Sequence, residues 1–187
     1  MTETVLWRRL DRPGHEVCRV AGDATGWTLA GTAVFSHDGA PCALAYRVVC
    51  DADWRTLAAT VTGRVGAREV DLAVRADGAG RWWLGDAEQP VVAGCLDVDL
   101  GFSPSTNLLP IRRLGLAVGE PVEVVAAWLP FPALAFEPLR QRYRREDERT
   151  VRYESAGGAF VRTLDVRPSG LVMRYPGLWE AEAHVAG

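Results

Sequence analysis

The chain has 187 residues, of which 21 are basic, every one of them arginine, and 24 are acidic, for a net charge of −3. That length fits one domain over 1–187, which buries roughly 70 % of the surface its unfolded chain exposes and needs neither disulfides nor a metal to stay folded. The net charge excludes whole-molecule attraction to nucleic acid or an anionic bilayer; with no signal-length apolar run and no stretch of roughly 20 apolar residues, a cytoplasmic protein without a transmembrane segment is expected.

Two-residue alternation dominates the chain. In "GWTLAGTAVF" Trp27, Leu29, Ala33 and Phe35 share a face, and in "CALAYRVVC" Cys42, Leu44, Tyr46, Val48 and Cys50 do so. Each reads as a strand with one buried side. "REVDLAVRADG" repeats the pattern, its glycines allow a reversal, and "RWWLG" returns as the second arm of a hairpin. "CLDVDLGF" alternates again, with Leu96, Val98, Leu100 and Phe102 opposed to Cys95, Asp97, Asp99 and Gly101.

"PSTNLLPIRRLGL" is one of two stretches with helical signals: Ser or Thr as cap, Pro110 to begin a turn, Gly115 to end it. The other, "EPLRQRYRREDER", serves equally well as a strand with solvated charges. "PVEVVAAWL", "RTVRYES", "AFVRTLDV" and "GLVMRY" complete the set, with turns at "SAGG" and "RPSG". Segments at about 12-residue spacing, with no βαβ rhythm, predict a mainly β antiparallel sandwich, roll or barrel.

Few residue patterns carry chemistry. Cys18, Cys42, Cys50 and Cys95 form no CxxC pair and read as free thiols; His15, His37 and His184 lack an i, i+4 partner, so no metal is expected. No nucleotide, nucleophile or metal motif is present, so no cofactor is expected either. Asp97 and Asp99, about 7 Å apart on a strand, could flank a bond as acid and base, but an outward hydrated face accounts for them more simply.

Arg112 and Arg113 could grip an anionic head group. The alternative pairs one of them internally with Asp97 or Asp99 and leaves the other in solvent. Seven tryptophans exceed the ordinary need of a core this size. Some could line a lipid or sugar site, and one of Trp82 and Trp83 must be exposed or covered by something else. The Arg140 to Arg152 cluster is diluted by acids and reads as a self-paired edge, with no nucleic-acid partner.

"GCLDVDLGFSPSTNLLPIRRLGL", with "GWTLAGTAVF", "YRVVCDADWRT" and "LDVRPSGLVMRYPGLWEA", resembles the bacterial glycolipid-binding family in order along nearly the whole chain. Ser105 stands where that family often has an aromatic residue. The resemblance implies a single-domain β roll or incomplete barrel of many short strands wrapped around one helix, similar to bacterial lipoprotein carriers. A closed sheet of more than about eight strands needs a cavity or an inserted helix inside it.

The implied function is a non-enzymatic carrier or sensor for a glycolipid or other acyl-chain ligand. Its apolar interior would take the chain, and Asp97, Asp99, Asn107, Arg112, Arg113, Trp54 and Trp82 would form the binding set. The alternatives are a hydrolase using Asp97 and Asp99, and an interaction module using a sheet edge.

Overall fold

The computed structural model describes residues 2–187. Its first half is eight strands: β1 (Thr2–Arg9), β2 (Gly14–Asp23), β3 (Gly26–His37), β4 (Ala40–Cys50), β5 (Thr56–Val65), β6 (Arg68–Ala76), β7 (Trp82–Leu84) and β8 (Ala87–Glu88). The second half holds β9 (Val98–Leu100), helix α1 (Leu108–Leu114), β10 (Pro121–Leu129), β11 (Glu137–Arg145), β12 (Thr150–Ser155), β13 (Phe160–Val166), β14 (Val172–Tyr175) and β15 (Trp179–Ala186). All 15 strands form one sheet in the order β8-β7-β6-β5-β4-β3-β2-β1-β15-β14-β13-β12-β11-β10-β9. Every ladder is antiparallel except β9 with β10.

The alternation is realised as read. On β4, Cys42, Leu44, Tyr46, Val48 and Cys50 are buried while Ala43, Ala45 and Arg47 face water. Each fully buried Leu or Val contributes about 1.5–3 kcal/mol over an exposed one. Gly63 on β5 allows strands to approach where no side chain fits: its φ is 137°, and a Cβ there would lie 2.0 Å from the Ala43 carbonyl oxygen. "EPLRQRYRR" is strand β11, since its inward positions Gln141 and Tyr143 face the core and its arginines do not.

The sheet is not closed, so the barrel reading gives way to an open roll with edges β8 and β9. Only nine residues separate those edges along the chain, and the linker is tied back inside the curl. The Trp82 indole N–H donates to the Cys95 carbonyl at 2.8 Å, and the Thr56 N–H donates to the Leu96 carbonyl at 2.9 Å.

The centre of the curl is filled rather than hollow. Leu108, Leu109, Pro110 and Ile111 of α1 are buried, and the buried apolar cluster to which its leucines belong also holds Trp7, Phe102, Leu29, Leu44 and Leu129, each at most 1 % exposed. An acyl chain expected in an apolar interior meets side chains there instead of space. The helix ends as foreseen at Gly115, whose φ of 54° is the left-handed conformation that terminates helices. It does not begin as foreseen, because Asn107 rather than Ser or Thr stands at the N-cap and its side chain makes no capping hydrogen bond. The Thr106 hydroxyl accepts from the Leu100 N–H at 3.2 Å and the Ser103 hydroxyl from the Ser105 N–H at 3.0 Å, so the hydroxyls tie the approach to the helix instead.

All four thiols are free and buried. Burial pushes the thiols of Cys18 and Cys50 up to about 12 and that of Cys95 up to about 11, which suppresses the reactive thiolate. An aromatic disulfide reagent is therefore expected to titrate none of the four in the native protein and all four in denaturant. Rapid labelling of any one under native conditions would contradict this packing.

Candidate functional site

The run from Gly94 to Leu116 holds the edge strand β9 and helix α1 and carries five of the seven expected site residues. Asp97 precedes β9, and its carbonyl accepts from the Ala127 N–H at 2.9 Å. Strand β9 then pairs in parallel with β10, Asp99 opposite Trp128. A hydrated face for Asp97 and Asp99 is corrected by this placement. Asp97 is 1 % exposed and Asp99 points inward at β11, because an edge strand inside the curl is covered on both sides.

The two carboxylates do different things. Arg113 grips Asp97 with two parallel bonds, Nε to Oδ1 at 3.0 Å and Nη2 to Oδ2 at 2.6 Å. Burial pushes the Asp97 carboxyl up and the guanidinium only partly opposes it. Asp99 accepts from the Gln141 amide at 2.5 Å, Tyr143 donates to the Gln141 carbonyl at 3.1 Å, and the Asn107 amide donates to the Tyr143 hydroxyl at 3.0 Å. Burial raises the Asp99 carboxyl to about 6. Asn107 and Asp99 thus belong to one interior chain of hydrogen bonds.

Arg112 and Arg113 lie on α1, in the stretch that carries helical signals, and about 100° of helical rotation separates adjacent side chains. That rotation sends Arg113 inward and leaves Arg112 exposed, as the internal-pairing alternative described. The Arg112 guanidinium carbon stands 5.4 Å from the centre of the Trp54 ring, within range of a cation–π contact. Trp54 in turn stacks on Trp27, centroids 4.4 Å apart and planes within 13°. Trp54 has a φ of 67°, a left-handed conformation that costs a tryptophan about 1–2 kcal/mol. The tight turn at Asp51 holds it there: the Asp51 carboxylate accepts from the Arg55 N–H at 2.8 Å, and the Asp51 carbonyl from the Trp54 N–H at 3.1 Å.

Trp54, Arg55, Asp53, Leu96, Arg112 and Arg113 surround an open cleft of about 460 Å³. Three guanidinium groups face one exposed carboxylate there, and Arg55 approaches Asp53 only to 3.9 Å. Arg112 has no carboxylate within 4.0 Å among the described residues. The structure therefore brings together Trp54, Arg112 and Arg113, with Asp97 behind Arg113.

Trp82 is not part of this cleft. It is 1 % exposed, its N–H is satisfied by Cys95, and its ring meets Phe136 edge-on at 5.7 Å. Its neighbour Trp83 takes the outer side, where the guanidinium carbons of Arg75 and Arg81 stand 3.7 and 5.0 Å from its ring centre. Among the described residues no three His, Cys, Asp or Glu side chains converge on a possible metal site.

A family model described as "Putative glycolipid-binding" matches residues 4–181. The chain belongs to this family. Among solved structures, this chain is similar to a DUF1089 family protein from Pseudomonas aeruginosa. They are 36 % identical, with a TM-score of 0.77 over 88 % of this chain and 91 % of that one. No curated protein matches it. The residues that family reasoning did not single out are Trp27 and Arg55, both within the stretches that carry the resemblance. Arg55 follows Trp54 in "DADWRT", and its position beside a tryptophan and two aspartates was the available signal.

Proposed function

We propose that this member of the glycolipid-binding family holds the polar head group of an anionic glycolipid in the Trp54–Arg112 cleft, as a carrier or sensor that does no chemistry on it. The observation that supports the reading is Arg112 itself, an exposed guanidinium without a carboxylate partner, held over a tryptophan whose backbone is strained. A planar fork of donors kept off the internal acids suits a phosphate, sulfate or uronic carboxylate, while Asp53 and Arg55 suit sugar hydroxyls. The filled core favours a head group over an acyl chain as the part enclosed. The hydrolase alternative draws less support, since neither Asp97 nor Asp99 lines the cleft and both already have hydrogen-bond partners.

Titration of detergent-solubilised anionic glycolipids, read by tryptophan fluorescence and calorimetry, tests the reading. Arg112→Ala is expected to weaken binding by at least 10-fold while leaving the melting temperature within a few degrees, and Arg112→Lys to recover only part of it. Equal affinity in Arg112→Ala, or no binding by the native protein across anionic head groups, would remove the cleft from consideration. Turnover lost in Asp99→Asn without loss of stability would instead favour the hydrolase.

A further inference from the structure

Two rows on the outer face of the sheet differ from the rest, where charges of both signs pair, as Arg8 does with Glu180 at 3.2 Å and Glu182 at 3.1 Å. Over β11 and β12 the outside is a lattice of charges of both signs. Arg144 meets Glu146 at 2.7 Å, Arg152 meets Glu154 at 2.7 Å, and Arg142 lies in register between Glu123 and Glu154. From β15 across β1, β2, β3 and β4 to β5, two neighbouring rows of outward residues hold no carboxylate at all.

In one row Leu6 stands beside Val17, which is 43 % exposed; the next begins at Val185, 67 % exposed. That second row sets Arg19 and Arg47 on either side of Ala30. Both arginines are exposed and have no carboxylate within 4.0 Å among the described residues, while alanine and threonine fill the remaining positions. Their spacing over two strand intervals is about 10 Å.

We propose that these two outer rows of β15 and β1–β5 rest on an anionic lipid bilayer, the row of Leu6 and Val17 at the headgroup boundary and Arg19 and Arg47 on lipid phosphates, with Glu180 and Glu182 at the border held by Arg8. Aliphatic side chains beside unneutralised guanidinium groups, with carboxylates absent from both rows, complement a surface that is apolar beneath and negative on top. A second copy of the chain complements it poorly, since stacking two such faces sets arginine rows against each other. The chain's net charge of −3 gives no long-range pull, so the attraction acts within a Debye length, about 8 Å at physiological salt. The face is separate from the Trp54–Arg112 cleft and does not depend on the headgroup reading.

Flotation of the purified protein with vesicles that contain no glycolipid tests it. Binding is expected to phosphatidylglycerol–phosphatidylcholine vesicles at low salt, to fall at least fivefold in 0.5 M salt, and to be at background on pure phosphatidylcholine. Because each guanidinium beside an anionic surface is worth about five-fold in binding, Arg19→Gln with Arg47→Gln is expected to lose on the order of 20-fold. Val17→Glu is expected to lose binding altogether, and Arg112→Ala to float like the native protein.

Failure of the native protein to float, or unchanged flotation of the double glutamine variant, overturns the proposal. So does a native dimer in sedimentation that Val17→Glu converts to monomer without any vesicle binding. Should Val17→Glu melt early, the glutamine pair decides alone. Loss of headgroup binding with flotation intact counts against the cleft and not against this face.

Discussion

Arg113→Ala is expected to lower the free energy of unfolding by about 3–5 kcal/mol, because it leaves a buried carboxylate without its counter-ion. Asp97 is 1 % exposed, and both its oxygens are held by the one guanidinium. Without that partner the acid must stay charged in a dry site or take up a proton as the chain folds. The companion change Asp97→Asn with Arg113→Met removes both charges at once and is expected to recover most of the loss. Urea titrations of the native protein, the single variant and the pair measure the difference directly. A loss below about 1 kcal/mol in Arg113→Ala would mean that the pair behaves as a solvated surface bridge.

Glu16→Gln is expected to remove a large part of the pH dependence of stability between pH 4.5 and 7. Glu16 lies on β2, 1 % exposed, and its Oε1 accepts from the Tyr46 and Ser103 hydroxyls at 2.5 and 2.6 Å. Its Oε2 has no partner among the described residues. Burial pushes its carboxyl from 4.5 up to about 7, against the opposing pull of Ser103, Tyr46 and Arg9. The folded protein therefore keeps a proton there that the unfolded chain releases near 4.5. The group's contribution is complete below that pH and disappears as pH rises through 7, on the order of 3 kcal/mol in all.

Asp99, raised to about 6, works in the same direction, while Asp11 and Asp147, lowered, lose stability only in stronger acid. All three remain in the variant, so the difference between the two proteins isolates Glu16. At pH 8 Glu16→Gln should match or exceed the native protein in stability, and at pH 4.5 it should lose that advantage. A difference that stays constant across this range would show that Glu16 is ionised throughout.

The strands were legible because their own parity carries the information. Cys42 to Cys50 names the buried face of β4 without help from any other part of the chain. Glu16 was legible in the same way, since it shares the parity of the buried Cys18 and Val20, although an acid at an inward position is easily passed over.

Asp97 and Asp99 were misjudged because local alternation reports one covered face, whereas β9 is covered on its second side by residues far along the chain. Gln141 is 42 positions beyond Asp99, and nothing near "CLDVDL" announces it. Trp82 failed for a related reason: composition suggests a surplus of indoles, but the site that consumes this one, the Cys95 carbonyl, comes 13 residues later across the roll. Arg112 and Arg113 were separable only once the helix was known, since rotation rather than alternation divides their roles.

One ladder in this sheet is unlike all the others. Every strand pairs with its predecessor or successor along the chain except β1 with β15, where Glu3 lies opposite Ala186. Two meanders can therefore assemble from nearby hairpins, with β9 alone added through a parallel crossover by way of α1, before they meet along a single seam. That seam must close by diffusion across nearly the full contour, which makes the zipping of the first strand onto the last the natural rate-limiting event in folding. The Trp7 indole, which donates across the seam to the Val172 carbonyl at 2.8 Å, is a built-in reporter of the moment when it happens.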